Sequence, residues 1–437
     1  MRAMSVAQRR IVVLGGVAVL LVGGYVLSRG PKKETPIAAD AAKADDDASA
    51  PGGEITKVLE GLARPFGADA MGNGDVVVAA VDGAAIRVQR INGSEAIVAN
   101  KLVLRDVVPS PDAEVKVFAQ PEGIYVLWRG LHEGKLGRFL VALDPDLKVR
   151  TTTTASSSVL CGTRTDLWIV DGERATAHPF AAGSTRSVAL PKDREASLLC
   201  SSGAAFAVLD ADERTEVMTL EDRAKPITVL KDSELGVDEQ RELSEYTTAD
   251  GPGFVRLASS GALALREVSG GKAGPLHRLK TAIGRDDDVV AADASGRIAV
   301  IVYTEDLAED GGDRACPRVM ALRVDRQSFE ETTIELSSGR CGFEVGPFFT
   351  GPVGDSVSVA WPERTGGIGQ PRAPVVSLAT SLVAPGPAPT LARIDQAAEA
   401  MVDATCDANA CYAVALTHAS EGAPGVAKVV RYNAPRR

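Results

Sequence analysis

The densest group of metal-capable side chains is the run TEDLAEDGGD at 304–313, which gathers Glu305, Asp306, Glu309, Asp310 and Asp313 around two glycines. Calcium takes several carboxylate oxygens from one flexible loop. Glu305, Asp306, Asp310 and Asp313 are therefore the candidate ligands of this chain. Their spacing departs from D-x-[DN]-x-[DN]-G, so the expectation is a solvated acidic loop, with calcium as the alternative. RDDDVV at 285–290 reads as a turn that keeps an edge strand soluble. The four histidines, His132, His178, His277 and His418, stand far apart among Gly, Pro or Ala turn residues. None has HExxH or HxH spacing, and they read as surface-loop histidines. A nucleophilic serine has no GxSxG elbow to sit on. Phosphates have no GxxxxGK[ST] cradle, and GGIGQP at 366–371 lies in a Pro-rich loop with no helix to point N–H groups at an anion. No catalytic residue and no organic cofactor is expected.

Elements that could position any chemistry must come from an ordinary globular composition. Hydrophobic residues make up 45% of 437 residues, so a large core is affordable, but aromatics are only 4%. Val, Leu, Ile and Ala must therefore fill it. Gly (43) and Pro (24) are frequent, which fits many turns and short elements. The net charge is −10. Setting aside Arg2, Arg9, Arg10, Arg29, Lys32 and Lys33 near the N-terminus leaves 42 basic against 58 acidic residues. Such a body repels phosphate backbones, and nucleic acid is excluded as a partner.

Residues 1–10 read as a cytoplasmic tail. The uncharged run Ile11 to Ser28 spans about 27 Å as a helix, close to the hydrocarbon thickness of a bilayer. It is longer than a signal-peptide core and is followed at once by basic residues, so it reads as an uncleaved transmembrane signal-anchor. Three basic residues on each side leave the orientation open by charge alone. Residues 29–53 are rich in Ala, Asp and Pro with few large apolar side chains, and read as a flexible tether.

From residue 54 to 437 one unit recurs: an extended segment, a turn of small polar residues, then an apolar strand. Examples are ADAMGNGDVVVAAV (68–81), KVFAQPEGIYVLW (116–128), SVLCGTRTDLWIV (158–170) and VVAADASGRIAVIV (289–302). The turns fall near residues 73, 121, 164, 202, 251, 295, 353 and 408. A period of about 40–50 residues with some four short strands is the signature of a β-propeller. The chain resembles the WD-repeat and YVTN-like propeller superfamily in this architecture, without the WD dipeptide or the GH element. The resemblance implies an all-β, seven- or eight-bladed scaffold and no particular activity. Ile55 to Leu62 is the candidate for a strand that closes the ring on the last blade. Two β-sandwich domains are the competing architecture. Asp232 to Tyr246 is charged and reads as a short helix or long loop between blades. TTTTASSS (151–158) reads as an outer edge strand or an exposed loop, and Trp128, Trp168 and Trp361 as core residues at second-strand ends.

The six cysteines have no zinc spacing. Cys406 and Cys411 flank one turn. Cys161 and Cys200 occupy equivalent positions in successive units, and Cys316 and Cys341 bracket one strand pair. Three local disulfides are expected, with buried free thiols as the alternative. Disulfides and anchor together point to the bacterial inner membrane, single-pass, with the body in the periplasm. The expected function is a non-enzymatic scaffold that binds a protein of the cell envelope. The alternative is a hydrolase or lyase with carboxylates gathered at the central channel.

Overall fold

The computed structural model describes residues 54–432, apart from short stretches within that range, the longest being 366–374. All belong to the compact unit Ser49–Arg437. The expected transmembrane helix (11–28) and tether (29–53) lie outside the described residues. Among the described residues no helix is long and apolar enough to cross a membrane.

The second strands of the repeated units explain the architecture. Val76–Asp82 is buried at every position from Val76 to Val81. Alternate residues of a strand point to opposite faces of its sheet. Val77, Ala79 and Val81 pack with Val115, Val117, Val126 and Trp128, in the next unit. Val76, Val78 and Ala80 pack with Tyr412, Val414 and Val429, in the last. The same division recurs further on. Ile301 and Tyr303 join Leu257 and Leu265, while Val300 and Val302 join Val357, Val359 and Trp361. A sheet that is apolar on both faces needs a neighbour on each side, and only a closed ring supplies one to every sheet. The chain forms that ring as an eight-bladed β-propeller of antiparallel sheets. In order, the blades are residues 63–105, 107–154, 160–189, 195–231, 240–282, 288–337, 343–398, and 402–432 with 54–62.

Ring closure rests on one long strand. Glu54–Ala70 pairs over its first half with Gly425–Tyr432, as the outer strand of blade 8. Over its second half it pairs with Val76–Asp82, as the inner strand of blade 1. The closing role expected of Ile55 to Leu62 is met, and the eight turns correspond to eight blades. Glu54 pairs with Arg431, beside the turn that follows Cys406. The chain thus enters the propeller on the face carrying the inner-to-second turns, here called the lower face. The second-to-third turns and the links between blades form the upper face.

Blades are also tied by arginines that reach carbonyls of the following blade's third-to-outer turn. Arg90 Nη1 donates to Pro145 O at 2.9 Å, and Arg323 Nη1 donates to Ala384 O at 2.7 Å. Val149–Thr154 is the outer strand of blade 2 and is exposed throughout, and all three tryptophans are fully buried.

Two expectations are corrected. Gln240–Thr247 is the inner strand of blade 5 rather than part of a helix or loop, because it pairs with Pro252–Ala258 and Gly253 leaves the space that the Tyr246 ring occupies. Thr304 to Ala308 is not loop but the end of the strand Ile298–Ala308, paired with Ala315–Asp325.

Removing residues 54–62 strips blade 8 of its outer strand and bares the backbone edge of Gly425–Tyr432. The expected result is a lower, broader thermal transition, with Lys428 and Arg431 becoming the earliest tryptic sites in limited proteolysis. A shortened chain that keeps both the transition and the protease resistance would contradict this role.

Candidate functional site: the inner ring and the upper face

Inner strands of neighbouring blades run beside one another around the axis. Gly67 of blade 1 allows one such close approach; a Cβ there would lie 2.6 Å from Val115 O in blade 2. Polar groups on these strands link blade to blade. Asp69 is the best connected. Its Oδ2 accepts the Ala119 N–H of blade 2 at 2.8 Å, and its Oδ1 accepts the Thr405 hydroxyl of blade 8 at 2.9 Å. One carboxylate therefore joins three consecutive blades at the point where the ring closes. Asp293 in blade 6 accepts the Ala294 N–H at 2.8 Å and a hydrogen bond from Thr350 in blade 7. Burial pushes its carboxyl up to about 6, against the pull of those two hydrogen bonds, and no neighbouring acid is among the causes.

The remaining links are of other kinds. Cys161 and Cys200 form a disulfide between the inner strands of blades 3 and 4, with Cα atoms 5.7 Å apart. Cys406 and Cys411 form a second across the turn of blade 8, and Gly351 of blade 7 leaves room for the Cys406 sulfur. Cys316 is also disulfide-bonded, while its expected partner Cys341 lies outside the described residues. Within blade 5 the Tyr246 hydroxyl donates to Glu267 Oε1 at 2.8 Å, and Arg326 of blade 6 grips both oxygens of Glu267 at 2.7 and 3.0 Å. Burial, then the Glu267 charge, raises the Tyr246 hydroxyl well above its usual range. Its role is that of a permanent donor.

The histidines stay apart, as expected, but all four lie in strands rather than loops. His132 meets Arg105 O at 2.8 Å, His178 lies edge-on to Tyr125, and His277 stacks on Phe329. Burial lowers the pKa of the half-buried His178. Of the four candidate calcium ligands, Glu305 faces Arg318 across the strand pair at 3.7 Å and Asp306 lies on the same strand. Asp310 and Asp313 lie outside the described residues. No group of three or more His, Cys, Asp or Glu able to hold a metal ion occurs among the described residues.

The upper face offers a different feature. Among the described residues the exposed large apolar side chains all fall between residues 97 and 149: Ile97, Val98, Leu102, Val108, Leu136 and Val149. Val108 pairs with Leu131, and Leu131 pairs with Leu136. Directly opposed residues of antiparallel strands share a face, so these three form one continuous apolar row. Leu136 is 72% exposed and Val108 54%. The row sits on the hairpin Gly123–His132 and Lys135–Leu143 of blade 2 and on the short strand Val107–Val108 that pairs with it where the chain arrives from blade 1. Glu133 and Gly134 both have positive φ, as a two-residue hairpin turn of matching twist requires. Sequence reading passed over this row. Its signal was a pair of leucines flanking the turn HEGK, with nothing polar to separate them on one face.

No protein-family model matches this chain, and no curated protein does. Among solved structures, the N-terminal domain of Nup159 is similar at 8% identity and a TM-score of 0.39, over 87% of this chain and 95% of that one. A fungal alcohol oxidase of the AA5 family, in complex with copper, is similar at 9% identity and a TM-score of 0.43, over 87% and 76%. Oligopeptidase B from Leishmania major is similar at 10% identity and a TM-score of 0.46, over 82% and 54%. The likeness at these identities is one of fold.

Replacing Asp69 by Ala removes a charged acceptor from two neighbouring blades and leaves the Ala119 N–H unpaired inside the protein. A loss of about 3–5 kcal/mol is expected in chemical denaturation, and a smaller one for Asp69→Asn. Asp293 provides a pH signature. Its folded pKa of about 6 lies above the ordinary 3.8, so its contribution is fully present below pH 3.8 and is lost as pH rises through 6. Asp293→Asn, which cannot ionise, should be more stable than the native protein by about 2–3 kcal/mol at pH 7.5 and equal to it near pH 4. A stability difference that does not change with pH would refute the assignment.

Proposed function

We propose that the protein is a single-pass propeller of the bacterial inner membrane, with its blades in the periplasm, that binds another protein through the upper face of blades 1 and 2 and catalyses no reaction. The observation that carries this reading is the row Val108, Leu131 and Leu136. Val108 and Leu136 stay exposed on either side of the partly buried Leu131, and an apolar row left open on a well-packed domain is a surface built to be covered. It lies on a braced hairpin, so little order has to be gained on binding. The address is supported by the uncharged run Ile11 to Ser28 and by the disulfides at Cys161–Cys200 and Cys406–Cys411, which persist in oxidising compartments. An enzyme working through channel carboxylates needs an acid and a base free to exchange protons with substrate. Asp69 and Asp293 are instead held by Ala119, Thr405 and Thr350.

The test is cross-linking of the full chain in intact cell envelopes. A discrete adduct of higher mass is expected for the native protein. Leu136→Glu should reduce it at least about tenfold, the effect of placing one charge in an apolar contact, while leaving the thermal transition unchanged. An absence of any adduct, or an adduct indifferent to Leu136→Glu, would defeat the proposal.

A further inference from the structure

The side of blade 2 that carries the apolar row also carries an arginine pair. On the hairpin Gly123–His132 and Lys135–Leu143, Tyr125, Leu127, Leu140 and Ala142 pack on Leu167 and Ile169 of blade 3. Arg129, Leu131, Leu136 and Arg138 alternate onto that same side, and His132 and Lys135 onto the other. The second strand of blade 3 ends at Asp171, two residues past Ile169, whereas that of blade 2 runs on from Leu127 to His132. The upper end of the hairpin therefore overhangs blade 3. On the overhanging side Arg129 stands opposite Arg138, and two residues further up Leu131 stands opposite Leu136, with Val108 beside Leu131.

Like charges directly opposed on neighbouring strands repel. The acids on this side leave that repulsion in place. Glu114 stands across from Arg129 but is bonded to Lys116 at 3.0 Å. Asp112 is 80% exposed and reaches Arg129 only at 4.0 Å. Asp171 of blade 3 stands opposite Arg174 of its own hairpin. Arg138 is the base without an acid. Its Nη1 donates to Ser156 O at 3.4 Å, it forms no ion pair among the described residues, and its buried Nε has no partner among them.

We infer that this side of blade 2 binds an extended segment of another protein, whose carboxylate enters between Arg129 and Arg138 and whose neighbouring apolar side chain covers Leu131 and Leu136. Guanidinium groups take carboxylates through paired N–H donors, so one Asp or Glu side chain satisfies both arginines and removes their repulsion. The spacing fits as well. Rows two residues apart on a strand are about 7 Å apart, and so are side chains i and i+2 of an extended segment. An acid with Leu, Ile or Val at the second position from it thus meets both rows at once. Glu133, in the turn beyond the row, sets the direction, because it repels an acid at that end. An anionic bilayer fits less well. Asp112 and Asp171 border the arginines, and the chain enters the propeller on the lower face, so an anchored copy turns this surface away from its own membrane. The inference rests on the protein-binding reading of the same surface and names the chemistry of the partner.

The experiment holds the full chain in nanodiscs of phosphatidylcholine and titrates it with two labelled peptides. One is Ser-Thr-Glu-Thr-Leu-Thr-Ser, and the other has Gln in place of Glu. The Glu peptide should bind with a Kd below about 1 mM, and the Gln peptide at least about tenfold more weakly. Arg138→Gln should weaken the Glu peptide at least about tenfold and leave the Gln peptide nearly unchanged, which is the coupling a double-mutant cycle isolates. Leu136→Glu should weaken both. High salt should weaken the Glu peptide alone, a result that needs no variant of the protein. Unchanged thermal transitions verify that each variant is folded. No binding by the Glu peptide, equal binding by both peptides, or a Glu peptide indifferent to salt and to Arg138→Gln would overturn the inference. Co-flotation with vesicles of phosphatidylglycerol that Arg138→Gln abolishes, without peptide binding, would overturn it in favour of an anionic bilayer. A cross-linked adduct in cell envelopes that needs Leu136 but is indifferent to Arg138→Gln would overturn the carboxylate and leave protein binding standing. If neither adduct nor peptide complex forms, both readings fail.

Discussion

Every second strand in this protein is apolar on both faces, and that demand for two neighbours governs the rest of the structure. Blade 1 can cover Val76, Val78 and Ala80 only if blade 8 is present, and blade 8 exists only because the chain returns to lend it an outer strand. Glu54–Ala70 belongs to both blades, so the backbone runs unbroken across the seam. Asp69 then stands at that seam and binds the blades on either side of its own. With few aromatic residues available, the core is filled by Val, Ala, Leu and Ile. Such side chains pack well only when sheets approach closely, as at Gly67 and Gly351.

The polar chemistry of the inner ring follows from the same demand. Inner strands meet near the axis, where backbone and side-chain polar groups lose water and must find partners. Asp69 and Asp293 supply those partners at two joints between blades, Glu267 holds Tyr246 of its own blade and Arg326 of the next, and the Cys161–Cys200 bridge ties a further joint covalently. Carboxylates spent in this way hold the ring together. The upper face is under no such constraint. Val108 and Leu136 are left facing outwards there, on and beside a hairpin closed by a two-residue turn.

Much of this was legible in the sequence. Turn formers recur between segments of unequal polarity, and each of the eight turns separates an inner strand from a second strand. Even the closing strand could be located, because Ile55 to Leu62 precedes the first unit and has no partner of its own nearby. What was hidden depends on long-range pairing. Gln240–Thr247 carries too many charges to read as a strand until Pro252–Ala258 is set beside it, and Tyr246 is its buried apolar anchor. Thr304 to Ala308 reads as an acidic loop until Ala315–Asp325 is set beside it. The surface row was invisible for the same reason: Val108 and Leu136 lie far apart in sequence and meet only through Leu131. The role of Asp69 could not be foreseen either, because Ala119 and Thr405 reach it from blades 50 and 336 residues away.

Closure by the first strand is the claim on which the architecture stands, and hydrogen–deuterium exchange of the full chain tests it most directly. If Glu54–Ala70 seals the ring, those amides of residues 55–62 that bond to Gly425–Tyr432 exchange only through global unfolding and are as protected as those of Cys411–His418. Exchange of 55–62 at the rate of the exposed turn at Glu133 and Gly134, with Cys411–His418 still protected, would contradict it.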